Sequence, residues 1–328
     1  MERVQRVAVL TSGGDAPGMN AAIRAVVRKG IALGLDMFGV EHGFLGLVKQ
    51  EVKRMHLGSV ADIIHRGGTI LKTARCNDMF TPEGVAGAAQ TLKNTSIHAL
   101  VVIGGDGSYR GAQALHEHGL HVVGVPATID NDIVGTDRTI GFDTAVNTAV
   151  GAISKIRDTA SSHERAFLIE VMGRNCGDIA LRAGLAIGAE SLLIPEVEYD
   201  LEDVAVKMLR GFKRGKNHSI IIVSEGAGDI WQIADKLRGL TGFDSRVTIL
   251  GHIQRGGAPS AEDAVLAAAM GSKAVDAVVN SSPEQETPIS LMVALDCMNI
   301  VTRPLADAFE GERVFDRDLY DLAGDLAI

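Results

Sequence analysis

Short apolar runs rich in valine and isoleucine alternate with longer helical patterns through most of the chain, and this alternation limits the possible folds. Strands that alternate with helices form parallel sheets covered by helices on both faces. The runs of strand length lie at Val7–Thr11, Met37–Val40, Ala99–Ile103, His121–Val125, Phe167–Met172, Ser191–Ile194, Ser219–Ser224 and Thr248–Gly251. The helical patterns lie at Pro17–Leu33, Pro82–Lys93, Ser108–His118, Thr144–Ser161, Gly177–Ile187, Leu201–Arg214, Ile230–Leu240 and Ala261–Asn280. Since one open sheet of so many strands would be unusually wide, we predict an α/β fold with two doubly wound, Rossmann-like, three-layer α/β/α domains and mainly parallel sheets.

The charge and the cysteine content exclude several classes of protein. The net charge of −9 at pH 7 disfavours general binding to nucleic acids or membrane surfaces, which favours a basic protein. The three cysteines, Cys76, Cys176 and Cys297, are scattered without metal-site spacing, which is typical of a reducing compartment. The first residues lack a signal-peptide pattern, and no apolar run approaches the ~20 residues of a membrane-spanning helix. We therefore expect a cytoplasmic protein that binds neither nucleic acid nor membranes.

Two carboxylates, Asp130 and Asp132, directly follow the apolar run Val122–Pro126 in the segment A-T-I-D-N-D. Open α/β sheets place their chemistry at the carboxyl ends of strands. One carboxylate can accept a proton from an attacking hydroxyl, while the other supports a metal or fixes its neighbours. A dehydrogenase is an alternative, because Asp130 lies about twenty residues after a glycine loop, like a ribose-binding acid. That interpretation leaves Asp106 and Asp132 unexplained, so phosphoryl transfer is favoured.

Two glycine-rich loops, Thr11–Gly18 and Gly104–Gly111, each lie between a strand and a helix. Such loops turn backbone N–H groups toward an anion, and the helix dipole adds favourable potential. Neither loop has the spacing of a dinucleotide fingerprint or a Walker A motif. Asp106 would repel a phosphate unless a cation neutralised it, so we interpret it as a Mg²⁺ ligand, with helix capping as the alternative. Asp15, followed by Pro17, predicts a helix start.

Several arginines flank the predicted strands, and guanidinium groups bind phosphate through paired hydrogen bonds. Arg174, His252 and Arg255 follow strands, and Glu225 after another strand can accept hydrogen bonds from sugar hydroxyls or cap a helix. A second basic set can form another anion site or a solvated face; its members are Arg24, Arg28, Arg157, Arg214 and Lys216.

With these segments assembled, the chain closely resembles the bacterial 6-phosphofructokinases over nearly its whole length, becoming dissimilar only after about Ser281. The resemblance is carried by L-T-S-G-G-D-A-P-G-M-N-A-A-I-R, I-I-H-R-G-G-T, V-I-G-G-D-G-S, T-I-D-N-D, I-G-F-D-T-A, S-H-E-R, E-V-M-G-R, S-E-G and L-G-H-I-Q-R-G-G. It implies that ATP phosphorylates fructose 6-phosphate to fructose 1,6-bisphosphate, with Asp130 as the general base toward the 1-hydroxyl of the sugar.

The resemblance also implies the residues of each subsite. The catalytic residues would be Asp130, Arg174, Thr128 and Gly14. The ATP site would comprise Gly14, Arg75, Cys76, Gly104, Gly105, Asp106, Gly107, Ser108 and Gly111, with Asp106 holding Mg²⁺. The sugar phosphate would contact Thr128, Ile129, Asp130, Met172, Gly173, Arg174, Glu225, His252 and Arg255, joined by Arg165 and Arg246 from an adjacent subunit. A regulatory site for ADP or phosphoenolpyruvate would comprise Arg24, Arg28, Asp62, Arg157, Gly188, Glu190, Arg214, Lys216 and His218.

The resemblance further implies a homotetramer with two domains in each subunit. Residues 1–141 plus 254–304 would form the larger, ATP-binding domain, and residues 142–253 plus 305–328 the smaller domain for fructose 6-phosphate. Gly107 and Ala127 stand where pyrophosphate-dependent relatives carry an acidic side chain and a lysine, so ATP is favoured as the donor. Pyrophosphate remains the alternative donor, and a catalytically silent nucleotide-binding regulator is an alternative of another class.

Overall fold

The computed structural model describes residues 5–163, 165–216, 218–281 and 287–327. Glu164 of the S-H-E-R motif and most of the loop predicted at Ser281–Pro288 lie outside the described residues. The chain divides into two compact units. Unit 1 comprises Met1–Ile129, Ile133–Asp143 and Arg255–Arg313, and unit 2 comprises Asp130–Asp132, Thr144–Gln254 and Val314–Ile328.

Strands and helices alternate along the described chain as the sequence predicts. The strands are β1 (Arg6–Thr11), β2 (Asp36–Val40), β3 (Val52–Met55), β4 (Ala99–Gly104), β5 (His121–Pro126), β6 (Ala166–Val171), β7 (Ser191–Leu193), β8 (Ser219–Ser224), β9 (Ser245–Ile249), β10 (Ser290–Asp296) and β11 (Asn299–Pro304). The helices are α1 (Met19–Ala32), α2 (Gly43–Val48), α3 (Pro82–Asn94), α4 (Asp106–Glu117), α5 (Phe142–His163), α6 (Asp178–Ile187), α7 (Leu201–Lys213), α8 (Ile230–Thr241), α9 (Ala261–Asn280) and α10 (Arg317–Leu326). No helix of the described residues is long and apolar enough to cross a membrane.

Unit 1 contains a seven-stranded sheet in the order β11-β10-β5-β4-β1-β2-β3. Its strands run parallel except at the two margins, where β3 pairs antiparallel with β2 and β11 pairs antiparallel with β10. The central strand β4 is buried along its whole length, which explains its uninterrupted apolar sequence. Unit 2 contains a four-stranded parallel sheet in the order β7-β8-β6-β9. The predicted fold class, two α/β units with mainly parallel sheets, is confirmed.

Two details of the sequence interpretation are wrong. Helix α1 does not begin with Asp15 as its cap, because Gly18 precedes the helix with a positive φ of 103° and no side chain caps it. The strand predicted at Thr248–Gly251 lies earlier, at β9, and Gly251–Arg255 form a short 3₁₀ helix. The division into compact units returns to unit 2 at Val314, where the resemblance implied residue 305, and Leu305 and Ala308 are buried in the unit 1 core.

Candidate active site

The carboxyl ends of three neighbouring strands in unit 1 carry both glycine loops. Thr11 at the end of β1 pairs with Ile103 of β4, and Ile103 pairs with Val125 of β5. The Ser12 N–H donates to the Ile103 carbonyl oxygen at 3.0 Å, and the Ala127 N–H donates to the Gly104 carbonyl oxygen at 3.0 Å. Backbone hydrogen bonds therefore hold the loops after these strands side by side.

Gly104 marks the closest approach between the two glycine loops. A side-chain carbon at Gly104 would lie 2.5 Å from the Ser12 carbonyl oxygen and would also overlap the Ser108 hydroxyl. Gly111, seven residues farther along the chain, has no room for a side chain because the Phe44 ring of α2 lies against it. Close packing at Gly104 therefore holds the two loops together, and Gly111 allows α2 to pack against α4.

Gly107 is different, because a side-chain carbon built there meets no atom within 4 Å. It lies in the first turn of α4, which begins at Asp106 after the extended residue Gly105. The N-terminus of this helix favours negative charge. Space, helix dipole and exposed backbone together suit a polyphosphate at this end of α4.

Asp106 lies beside this space with its side chain 46% exposed, and the Arg110 guanidinium pairs with its carboxylate at 3.1 Å. A carboxylate oxygen is a suitable ligand for Mg²⁺. Arg75 is exposed, while Cys76 is partly buried against the core that also contains Phe44 and Tyr109. The predicted nucleotide residues are thus all in unit 1.

Arg255 packs on the first glycine loop rather than standing free in solvent. Its Nη1 donates to the Asp15 carbonyl oxygen at 3.1 Å, and it lies so close to Gly14 that a side-chain carbon there would be 2.5 Å from Nη1. Arg255 therefore fixes this loop in unit 1. Thr128 is buried in the same unit, and its carbonyl oxygen accepts from the Thr139 hydroxyl at 2.6 Å. Ile129, the next residue, is completely buried.

The chain passes from unit 1 to unit 2 between Ile129 and Asp130. The Asp130 side chain is only 1% exposed, and its Oδ2 lies 3.4 Å from Nε of Arg174, whose side chain is 65% exposed. The following residue, Asn131, donates to the Asp178 carboxylate at 2.9 Å and has a positive φ of 52°. The predicted base Asp130 and the predicted phosphate contact Arg174 therefore lie side by side within unit 2.

A carboxylate from the neighbouring strand exit holds the loop that carries Arg174. Glu225 Oε1 accepts from the Gly173 N–H at 3.1 Å and from the Arg174 N–H at 2.7 Å. Gly173 has a φ of 140°, and a side-chain carbon there would overlap the Cys176 carbonyl oxygen. The predicted sugar contact Glu225 thus also shapes the backbone that carries Arg174, the predicted phosphate contact.

Gln254 is a site residue that the sequence interpretation missed. It is completely buried, and its Oε1 accepts from the Met172 N–H at 3.3 Å while its Nε2 donates to the Gly251 carbonyl oxygen at 3.0 Å. It therefore joins the segment that carries His252 to the loop after β6. A polar residue inside the G-H-I-Q-R motif was the available signal, but burial cannot be read from the motif.

Glu170 lies on β6, which leads into this loop. Burial raises the pKa of its carboxyl above the ordinary value of 4.5, and the negative charges of Glu225 and Asp229 raise it further. Burial and the two neighbouring carboxylates therefore both disfavour the ionised form of Glu170.

Comparisons with known proteins agree with this geometry. Residues 6–278 match the family model described as Phosphofructokinase. The chain belongs to the phosphofructokinase family. It is 53% identical over 325 residues to proteins named ATP-dependent 6-phosphofructokinase from Bacillus thuringiensis and Bacillus cereus, covering 99% of this chain and all of each relative.

Solved phosphofructokinase structures have the same fold. The structure from Saccharomyces cerevisiae is 37% identical with a TM-score of 0.88, and the match covers 99% of this chain and 48% of the yeast chain, so this chain spans about half of the yeast one. The pyrophosphate-dependent phosphofructokinase from Marinobacter aquaeolei is 21% identical with a TM-score of 0.82, covering 98% of this chain and 91% of the other. At that identity the second match supports the fold alone.

The resemblance to phosphofructokinases assigned two further arginines to the sugar phosphate. Both lie at the amino ends of the unit 2 strands, whereas Arg174 follows the carboxyl end of β6. Arg165 precedes β6 and Arg246 pairs with Phe167 near its start, and both lie beside the Asp244 carboxylate, at 3.4 and 3.0 Å. Strand β6 has six residues, so its amino end lies about 20 Å from its carboxyl end, which Arg174 follows. Within one chain, Arg165 and Arg246 do not join Arg174. His252, by contrast, is exposed in the 3₁₀ helix that follows β9.

The regulatory residues that the resemblance to phosphofructokinases implied are distributed over both units. Arg24 and Arg28 lie on α1, and Asp62 lies in a loop, all in unit 1. The unit 2 members gather near the amino ends of β7 and β8; they are Arg157, Gly188, Glu190, Arg214, Lys216 and His218. Arg157 donates to the Ile187 carbonyl oxygen, and the buried Glu190 accepts from the Ile220 N–H and pairs with Lys216, both at 2.5 Å.

Proposed function

We propose that this chain catalyses the transfer of the γ-phosphoryl group of ATP to the 1-hydroxyl of fructose 6-phosphate, giving fructose 1,6-bisphosphate and ADP. The observation that carries the proposal is the buried Asp130 carboxylate, held beside Arg174 directly after a strand end. Membership of the phosphofructokinase family and the close ATP-dependent relatives support the reaction class.

In this reaction Asp130 accepts the proton of the 1-hydroxyl as the oxygen attacks the γ-phosphorus. The bond between that phosphorus and the bridging oxygen of the β-phosphate breaks, and the electron pair leaves with ADP. Arg174 contributes positive charge next to Asp130, where the transferring phosphoryl group carries negative charge. Glu225 keeps Arg174 in place through its backbone N–H.

The nucleotide would bind at the glycine loops of unit 1, with its phosphates at the N-terminus of α4 and the space above Gly107. Asp106 would hold Mg²⁺, since its partly exposed carboxylate lies at the same helix end. When bound, the metal neutralises phosphate charge. An acidic side chain at position 107 would occupy the space next to the phosphates, so its absence favours ATP over pyrophosphate.

The test of the proposal is the variant Asp130→Asn, which keeps the size of the side chain and removes the base. We expect turnover with ATP and Mg²⁺ to fall by about 10²–10⁴-fold, while the dissociation constant of fructose 6-phosphate changes little. The matched control is Asp235→Asn, an exposed aspartate on α8 that pairs with Arg238. Near-normal turnover in Asp130→Asn would refute the base assignment, and faster turnover of the wild-type protein with pyrophosphate than with ATP would refute the donor.

The position of Arg165 and Arg246 supports a homotetramer whose sugar-phosphate sites each use arginines from a neighbouring subunit. The amino ends of the unit 2 strands lie about 20 Å from Arg174 in the same chain. We therefore infer that these two arginines contact the sugar phosphate bound at another subunit's site. ADP and phosphoenolpyruvate are the proposed regulators at the predicted regulatory set. The proposed location is the cytoplasm.

A mixing experiment tests the sharing of sites between subunits. Asp130→Asn and Arg246→Ala are each expected to be nearly inactive alone at low fructose 6-phosphate. In hybrids assembled from equal amounts of both, roughly one quarter of the sites combine a native Asp130 with a native Arg246 from another subunit. Recovery of activity near that fraction supports shared sites. Hybrids with only the sum of the two residual activities would show that each site belongs to one chain.

A further inference from the structure

The proposed base, Asp130, lies on a very short segment of unit 2. Asp130–Asp132 belong to unit 2, whereas the chain before Asp130, up to Ile129, and the chain from Ile133 onward belong to unit 1. A segment of three residues keeps one orientation only where contacts offset the entropy of fixing it. The direction of the Asp130 carboxylate therefore depends on contacts between this segment and the rest of unit 2.

The ion pair between Asp130 and Arg174 is a weak anchor for the segment. Its Nε–Oδ2 distance of 3.4 Å exceeds the roughly 2.7–2.9 Å of a strong charge-assisted hydrogen bond. The Arg174 side chain is 65% exposed, so water competes for its guanidinium group. In the proposed reaction this guanidinium also faces the transferring phosphoryl group, and a second contact is needed to fix the base.

Asn131 makes a second contact of this kind. Its Nδ2 donates to Oδ2 of Asp178 at 2.9 Å, and the two residues are only 2% and 4% exposed. A buried hydrogen bond to a carboxylate contributes more to stability than an exposed ion pair, because water does not replace the lost partner. The bond from Asn131 to Asp178 is therefore the stronger of the two anchors.

The backbone at Asn131 makes this anchor important for Asp130. Asn131 has a φ of 52°, in the left-handed region that residues other than glycine enter at a cost. Its side chain is held by Asp178 in this conformation. Because Asp130 immediately precedes this turn, the turn at Asn131 sets the direction of the Asp130 side chain.

Asp178 is itself fixed, because it is the first residue of α6 and the start of this helix is tightly packed. The N–H of the preceding residue, Gly177, donates to Glu196 Oε1 at 2.8 Å, and a side-chain carbon at Gly177 would lie 2.6 Å from Cβ of Ile194. The loop that carries Arg174 runs directly into this helix start. The start of α6 therefore holds the base segment and also ends the Arg174 loop.

We propose that Asp178 is a positioning residue of the phosphotransferase reaction, which through Asn131 holds the Asp130 carboxylate toward the acceptor hydroxyl. The proposal rests on the proposed function, in which Asp130 is the base. The alternative role of Asp178 is to place a negative charge in the first turn of α6, which stabilises a helix. The two roles need different chemistry, since holding Asn131 needs an acceptor oxygen and stabilising the helix needs a charge.

Two substitutions at Asp178 separate these roles. Asp178→Ala removes the acceptor, and turnover should fall about 10- to 100-fold because small displacements of reacting groups cost this much. The dissociation constant of fructose 6-phosphate, measured by calorimetry without ATP, should change less than about threefold. Asp178→Asn keeps an acceptor oxygen without the charge, so its turnover should stay within about threefold of wild type. Equal losses in both variants, or near-normal turnover in Asp178→Ala, would overturn the proposal.

Asn131→Gly tests the same hydrogen bond from the donor side. It removes the amide, while glycine adopts a positive φ freely, so turnover should fall as in Asp178→Ala. This variant carries the test if Asp178→Ala fails to fold, and wild-type turnover in it would overturn the proposal. The matched control is Asp203→Ala, which removes an exposed acidic residue from the first turn of α7. Its turnover should be unchanged, and a loss as large as that of Asp178→Ala would overturn the proposal.

The double variant Asp130→Asn/Asp178→Ala shows whether Asp178 acts through the base. Once Asp130 is replaced, removing Asp178 should cost less than about a further threefold in turnover, because the group that it positions is already gone. A full further loss would overturn the proposal. Near-normal turnover in Asp130→Asn alone would refute the base assignment and this inference with it. Slow turnover in Asp130→Asn with normal turnover in Asp178→Ala would refute the positioning role alone.

Discussion

The candidate site residues of unit 1 are held in place in a different way from those of unit 2. In unit 1 the loops after β1 and β4 meet through backbone at Gly104, whose neighbours leave no room for a side chain. In unit 2 the loops after β6 and β8 meet through charged side chains, with Glu225 bonded to the backbone N–H of Arg174 and Arg174 beside Asp130. The unit 1 arrangement offers a ligand backbone N–H groups and open space. The unit 2 arrangement offers charged side chains in fixed positions.

This difference follows from what each unit is proposed to bind. A polyphosphate is recognised well by backbone N–H groups and a helix end, provided that the backbone can approach it closely. A reacting hydroxyl needs a base, which only a side chain can supply. Substitutions should therefore act on shape in unit 1 and on charge in unit 2.

The largest effect expected from this comparison concerns Arg174. Replacing it with Ala removes the positive charge next to Asp130, and turnover should fall by about 10²–10³-fold. Arg174→Lys keeps the charge but not the guanidinium geometry, so its turnover should be intermediate. Steady-state kinetics with ATP and fructose 6-phosphate measure both. Equal turnover in the Ala and Lys variants would show that charge is not what Arg174 contributes.

A pair of substitutions in one loop tests the role of shape in unit 1. Gly104→Ala places a carbon 2.5 Å from the Ser12 carbonyl oxygen, so the free energy of unfolding should fall by about 1–3 kcal/mol. Gly107→Ala meets no atom within 4 Å and lies in a helix, where Ala is the better former, so stability should be unchanged or slightly higher. Melting temperatures of the two variants measured side by side give the answer. If both melted alike, close packing at Gly104 would not be what holds the loops.

The smallest effect concerns pH and Glu170. Because its pKa is raised in the folded protein, the folded state binds more protons than the unfolded state between pH 4.5 and the raised value. Glu170 therefore lowers stability progressively as the pH rises through that window. Glu170→Gln should raise the melting temperature slightly at neutral pH and leave it unchanged below about pH 4.5. The control is Glu117→Gln, an exposed glutamate at the end of α4, and a rise at pH 4 as large as that at pH 7 would contradict the prediction.

The parts of the fold that the sequence predicted are those buried on both faces. The strands β4 and β8 are buried throughout, and β8 has the predicted bounds of Ser219–Ser224. The margin strand β3, V-K-R-M, was missed because it is short and its two central residues are exposed and charged. Gln254 was missed for the opposite reason, since a polar side chain gives no sign in the sequence that it will be buried.

The sequence by itself determined the α/β class, the two glycine loops and the carboxylates after the strand at Val122–Pro126, because strand periodicity and turn residues are local properties of the chain. It also carried the motifs of the phosphofructokinase family. Only the tertiary structure showed that Glu225 holds the Arg174 loop, that Arg255 packs on Gly14, and that Arg165 and Arg246 lie at the far edge of their sheet. These relations depend on strand register and on contacts between residues distant in the chain, which no local pattern encodes.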